Sequence, residues 1–269
     1  MSTSRYLDRP EGRLAYDVEG DGPLVVCLPG MGDLRTTYRF LVPALVEAGY
    51  RVATLDLRGH GDSDATFSSY DDEALASDAI ALIEELGGPA YVVGNSMGAG
   101  AAAIAAATRP DLVDGLVLLG AFLRNPQAGR TMMVLFRILM WPPWARPMWK
   151  AYLPRLYAGT KPADFDAYRD SLIEAMKAPG KTKAFSATTK TSHAPAEALL
   201  PQVKAPALTV MGTLDPDFPD PRREVEWIIG SIGGDLLMVD DAGHYPQSQA
   251  PEIVNRAVIE FLRKLDADA

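Results

Sequence analysis

The chain has 269 residues, 48% hydrophobic and 23% charged, with 26 Lys+Arg against 35 Asp+Glu for a formal charge of −9. An acidic balance argues against nucleic-acid binding, whose signature is basic, and the apolar content without low-complexity tracts excludes a disordered chain. Length sets a prior of one to two domains with core enough to fold unaided, and the single cysteine, Cys27, has no partner for a disulfide.

Residues 1–10 mix Arg5, Asp8 and Arg9 with polar neighbours, which is not a secretory signal. Short apolar runs predict buried strands at 24–28, 51–55, 91–93, 116–119, 207–211 and 236–239. Near-continuous rather than alternating apolar residues suit a parallel sheet covered on both faces. Helical spacing follows at Tyr38, Leu41, Leu45 and Val46, and again at Leu75, Ile80, Ile83 and Leu86. Residues 97–108 are almost all alanine, a helix thin enough to lie close on a sheet. The last helix, 252–265, is expected to place Ile253, Val254, Ala257, Val258, Phe261 and Leu262 on one face. Alternating strands and helices predict an α/β fold with right-handed crossovers.

The alternation stops between about residues 122 and 200, where Met132, Met133, Met140, Trp141, Trp144, Met148 and Trp149 accumulate. This reads as a helical cap, residues 122–200, inserted into a core made of 1–121 and 201–269. Such side chains suit the roof of an apolar cavity, and Met140, Trp141 and Trp144, with Tyr245, are the expected substrate-binding residues. The most apolar stretch, 132–144, is broken by Arg137 and Pro142-Pro143 and falls short of the about 20 residues that span a bilayer. No integral membrane association is expected, and the chain reads as cytoplasmic.

Gly94-Asn95-Ser96-Met97-Gly98 matches G-x-S-x-G between a predicted strand and a predicted helix, the context that exposes a nucleophilic serine on a tight turn. Ser96 needs a base, and the chain has three histidines. His244, after the run 236–239, is the candidate. His60, in the loop after 51–55, reads as structural, and His193 is a possible pocket residue of the insertion. Asp215, after the run 207–211, completes a Ser–Asp–His order as the group that orients the imidazole; Asp217 is its competitor. The N–H groups of Met97 and of Met31, in Pro29-Gly30-Met31-Gly32-Asp33, are the expected oxyanion donors. No phosphate loop, dinucleotide fingerprint or metal-ligand spacing is present, so neither a cofactor nor a metal is expected.

Together these residues resemble the α/β-hydrolase superfamily, in the branch with a helical cap after the sixth strand of an eight-stranded, mostly parallel sheet. Asp56-Leu57-Arg58-Gly59-His60-Gly61-Asp62-Ser63 looks like the family's D-x-R-G-x-G-x-S loop, which places His60 in a structural role. Pro29 and Asn95 stand where many relatives carry His. Serine rather than aspartate at the nucleophile position argues against dehalogenase and epoxide-hydrolase chemistry. The resemblance implies a serine hydrolase acting on a small-molecule carboxylic ester. The alternatives are a C–C bond hydrolase of ring-cleavage products, a cofactor-free haloperoxidase-like enzyme, and a ligand sensor with slow turnover.

Charge is unevenly spread. Residues 122–200 hold 12 Lys+Arg and 5 Asp+Glu, leaving 14 against 30 elsewhere. A basic cap over an acidic core reads as a solvated surface complementary to the core; the alternative is that it steers anionic or membrane-associated substrates to the pocket, with Lys150 and Arg155 as candidate contributors.

Overall fold

Eight strands form one sheet in the order β1-β2-β4-β3-β5-β6-β7-β8 in the computed structural model, which describes residues 4–126 and 130–268. They are β1 (Arg5–Arg9), β2 (Gly12–Glu19), β3 (Leu24–Leu28), β4 (Arg51–Leu55), β5 (Ala90–Asn95), β6 (Val113–Leu119), β7 (Ala207–Gly212) and β8 (Asp235–Val239). Only β2 runs antiparallel to its neighbours, β1 and β4; the other pairs are parallel. The helices are α1 (Leu41–Glu47), α2 (Asp72–Glu85), α3 (Met97–Thr108), α4 (Arg130–Leu139), α5 (Ala145–Leu156), α6 (Phe165–Ala175), α7 (Lys181–Thr188), α8 (Ala194–Leu199), α9 (Pro221–Ile232), α10 (Pro246–Gln249) and α11 (Pro251–Asp268).

The central strands are apolar throughout because both faces are covered. Val26, Leu28, Val92, Leu116 and Leu118 pack with α2 and α3, while Val25, Cys27, Val93, Val117 and Leu119 pack with α1 and α11. Alanine lets α3 sink between the sheet and α2, and every residue from Met97 to Ala106 is buried.

Three expectations are corrected here. β1 and β2 escape a search for continuous apolar runs because little of either is buried: Leu7 lies between exposed neighbours in β1, and the buried run of β2 is only Leu14 to Tyr16. β8 is an edge strand with Leu236 45% exposed, not a buried one. Ile253 lies off the apolar face of α11, at 43% exposure, whereas Val254, Val258, Phe261 and Leu262 are buried.

Helices α4 to α8 intervene between β6 and β7. Helices α4 to α7 share a cluster of their own, in which Met140, Trp149, Leu153, Phe165, Tyr168 and Phe185 pack with Tyr245 of the core, and Met31 and Leu34 lean against it, whereas Ala196 of α8 packs in the core cluster.

Two loops at the carboxyl ends of β3 and β4 lock together beneath this cluster. Asp56 is fully buried and accepts from the backbone N–H groups of Arg35 at 2.8 Å and Asp62 at 3.0 Å, and its other partner is the Arg35 guanidinium. Gly61, at φ +47°, leaves room for that carboxylate. His60 accepts the Gly32 N–H on Nε2 at 3.1 Å and donates Nδ1–H to the Arg58 carbonyl at 2.9 Å, so one neutral tautomer is fixed at both ends. Burial pushes its pKa down to about 4.

Asp56→Ala leaves the Arg35 charge and two N–H groups without their acceptor and is expected to cost about 3–5 kcal/mol in urea unfolding. His60 gives a pH signature. An unfolded histidine takes up a proton near pH 6.5 while the folded one resists until about 4, so stability falls as pH drops through that window. The loss is roughly 3 kcal/mol at full expression. His60→Gln keeps an acceptor for Gly32 and a donor for Arg58 without titrating, and chemical denaturation at pH 7 and pH 5 should show a shallower loss for it than for the wild type.

Candidate active site

Ser96 joins β5 to α3 with φ 56° and ψ −121°, a left-handed conformation that non-glycine residues rarely hold. The glycines beside it make the turn possible. A Cβ on Gly94 would overlap the Gly98 carbonyl, and one on Gly98 would overlap the Leu28 carbonyl. Across from it, a Cβ on Gly30 would lie 2.8 Å from the Ser96 Cβ, so the loop after β3 passes directly over the serine. Asn95 is buried and faces away from chemistry: its Nδ2 donates to the carbonyls of Leu119 at 3.0 Å and His244 at 3.3 Å, tying three loops into one platform.

His244 follows β8, and Asp215 follows β7. The His244 Nδ1 lies 2.8 Å from Asp215 Oδ2 and 3.8 Å from Asp217 Oδ2. The structure therefore separates the two aspartates: Asp215 holds the imidazole, whereas Asp217 accepts the Tyr152 hydroxyl at 2.7 Å. Burial disfavours the imidazolium, but the charges of Asp215 and Asp217 outweigh it and hold the His244 pKa up to about 9. The insertion fixes the His244 backbone, since the Leu156 carbonyl accepts the His244 main-chain N–H at 2.7 Å. Gly120 at φ +51° leaves space for the same imidazole.

Ser96, His244, Met31 and Met97 line one cavity of about 490 Å³. No hydrogen bond joins Ser96 to His244 among the described residues; such contacts are commonly long until a ligand closes the site. In the loop after β3, the N–H groups of Gly32, Asp33 and Leu34 are spent on His60, Gly30 and the Asp33 side chain. Gly30 and Met31 remain as the loop's earlier N–H groups, and Met31 lines the cavity. Met97 begins α3, whose first N–H groups have no helical acceptor.

The expected substrate-binding residues divide. Met140 and Tyr245 line the cavity. Trp141 and Trp144 do not, because they pair edge-on at 5.8 Å on the outer surface, 58% and 39% exposed, and the Trp144 indole N–H donates to the Ile138 carbonyl. Their place in the wall is taken by Met132, Leu135, Phe136 and Leu139. Arg155 lines the cavity, whereas Lys150 pairs with Asp170 at 2.9 Å and is half exposed. Sequence reading did not single out Phe122, Tyr152 or Asp72. Phe122 sits between His244 and His193, and Asp72 holds His193; only the fold brings these residues together.

Among the described residues, one group could hold a metal ion: Asp215, Asp217 and His244, with ligand atoms within 4.8 Å of one another. Hydrogen bonds to His244 and Tyr152 already account for both carboxylates.

Comparisons with known proteins agree with this architecture. Residues 25–257 match the model of a family described as "Alpha/beta hydrolase family". The chain is 27% identical over 266 residues to the AB hydrolase superfamily protein YfhM of Bacillus subtilis, covering 90% of this chain and 91% of that one. It is 30% identical over 304 residues to a 2-hydroxy-6-oxononadienedioate/2-hydroxy-6-oxononatrienedioate hydrolase of Burkholderia vietnamiensis, covering 98% and 96%. An esterase from Exiguobacterium antarcticum superposes with a TM-score of 0.86 at 21% identity, covering 97% of this chain and all of that one. With the sheet order, the serine turn and the family match in agreement, the chain belongs to the alpha/beta hydrolase family.

Proposed function

We propose that this protein is a serine hydrolase that cleaves carboxylic esters with apolar or aromatic parts through an acyl-enzyme. One observation carries the reading: Ser96, strained onto the wall of the cavity, shares it with His244, whose other edge is held by Asp215 at 2.8 Å. Ser96 Oγ attacks the ester carbonyl carbon while His244 Nε2 takes the hydroxyl proton. The imidazolium then gives that proton to the departing alkoxide, releasing the alcohol. Water repeats the sequence on the acyl-enzyme, releasing the acid and restoring Ser96. Asp215 remains ionised and stabilises the imidazolium. The Met31 and Met97 N–H groups receive the oxyanion, helped by the positive end of α3.

The cavity wall supports the substrate class. Met132, Leu135, Phe136, Leu139 and Met140 are contributed by the inserted segment, which acts as a cap over the serine. A second reading, hydrolysis of a C–C bond in a ring-cleavage product, draws on the G-N-S-M-G sequence and the Burkholderia relative. Comparing a vinylogous diketone with a nitrophenyl ester separates the two.

Ser96→Ala should reduce nitrophenyl ester turnover to background while leaving the thermal transition in place; undiminished turnover by the pure variant overturns the assignment. The base works unprotonated, so kcat/KM should fall as pH drops through the His244 titration. Asp215→Asn removes the strongest influence holding that pKa up. It should move the limb to lower pH and reduce kcat by as much as ~10⁴. Across a nitrophenyl series, hexanoate and benzoate should exceed acetate by at least about tenfold in kcat/KM; activity confined to acetate removes the apolar-substrate assignment.

A further inference from the structure

A second histidine–carboxylate pair faces the same cavity. His193 Nδ1 lies 2.7 Å from Asp72 Oδ2, and Asp72 is fully buried at the first position of α2. Asp72 holds the Nδ1 edge of the ring, so the Nε2 edge is the one left for a ligand. His193 lines the cavity, and its Nε2 has no protein partner among the described residues. Tying α8 to α2 needs only the Nδ1 edge; the opposite edge is surplus to that task.

The position suits a substrate group rather than the reacting bond. Phe122 stacks on His193 with centroids 5.3 Å apart and meets His244 edge-on at 5.7 Å, so the two imidazoles lie within 11 Å of each other with an aromatic ring between them. The neighbouring wall is rich in acceptors. Thr188, Thr189 and Thr191 also line the cavity, and each hydroxyl donates to a backbone carbonyl, leaving its oxygen lone pairs to accept. A polar end offering acceptors, set beside the Met, Leu and Phe side chains of the cavity wall, selects a hydrogen-bond donor.

We propose that His193, positioned by Asp72, is the specificity anchor for a hydroxyl group carried by the substrate some distance from the scissile ester. The anchor deepens the ester-hydrolase reading and depends on that reading for its turnover readout. A hydroxyl in this place satisfies Nε2, whereas an alkyl group of the same size leaves it unpaired in an apolar surround, the situation that gives hydroxyl-recognising sites their discrimination.

The test compares matched pairs: p-nitrophenyl 4-(hydroxymethyl)benzoate against its 4-ethyl analogue, and 4-(hydroxymethyl)phenyl acetate against 4-ethylphenyl acetate. In at least one pair the wild type should favour the hydroxylated ester by about tenfold in kcat/KM. His193→Phe, which keeps the stack on Phe122, should bring that ratio to about one, and His193→Gln, which keeps an acceptor, should restore part of it. A histidine with only a structural role lowers both members alike and leaves the ratio unchanged. That result, or a wild-type ratio of one in both pairs, overturns the proposal. Calorimetric binding of the corresponding methyl esters to Ser96→Ala reads the anchor without turnover. Tighter binding of the hydroxylated ester that His193→Phe removes, in an enzyme that hydrolyses neither ester, would overturn the esterase reading alone. No hydroxyl preference in binding, beside intact turnover, overturns the anchor alone.

Discussion

The grip on one peptide, at Gly32, joins the two halves of the site. Its N–H is held by His60 from the loop after β4, and its carbonyl accepts the Trp149 indole N–H at 3.1 Å from α5. No side chain fits there: at φ +72° a Cβ would stand 2.6 Å from Phe185 and 2.7 Å from Trp149. One residue further on, the Tyr168 hydroxyl donates to Asp33. The loop that passes over Ser96 is therefore held below by the sheet and above by the inserted helices. Donor geometry must be held to a fraction of an ångström for catalysis, and here neither half of the molecule provides it alone.

The buried carboxylates around this loop act on the proposed chemistry in two opposed ways. Asp33, Asp215 and Asp217 all raise the His244 pKa, and burial in turn holds the Asp33 carboxyl up to about 6. A negative surround strengthens the base and favours the imidazolium that forms when Ser96 is deprotonated. The same field opposes an oxyanion. In the proposed mechanism the opposing contribution comes from fixed dipoles, those of the start of α3 and of the loop N–H groups. The arrangement makes a precisely held donor loop a necessity and not a refinement.

Most of the sheet and the order of the proposed catalytic residues were readable from the chain, because both depend on local signals. Six strands announce themselves as unbroken apolar runs, and Gly94 to Gly98 lies where such a run meets an alanine-rich helix. The hairpin β1–β2 was silent for the opposite reason: one buried residue in β1 and a three-residue run in β2 are too short to stand out from a loop. Asp215 and Asp217 could not be separated by spacing, since a difference of two residues matters only once β7 ends and the loop turns. Trp141 and Trp144 misled because composition says that a segment is apolar but not which face of its helices turns inward. Both rings lie outside the cavity, and α4 supplies the wall instead.

The pair His193–Asp72 was out of reach for a further reason. Its members are 121 positions apart, one in the insertion and one at the start of α2, and neither sits in a motif. Their meeting depends on where α8 lands against α2 and α3, a consequence of packing rather than of local propensity. Phe122 makes the outcome matter. It follows the carboxyl end of β6 as the first residue of the insertion, and it touches both imidazoles while its own ring packs on Phe218 at 4.8 Å. A single side chain at the junction of core and insertion thus sets how far apart the two polar ends of the cavity stand. In the proposed substrate, that spacing sets the distance between the scissile ester and the hydroxyl.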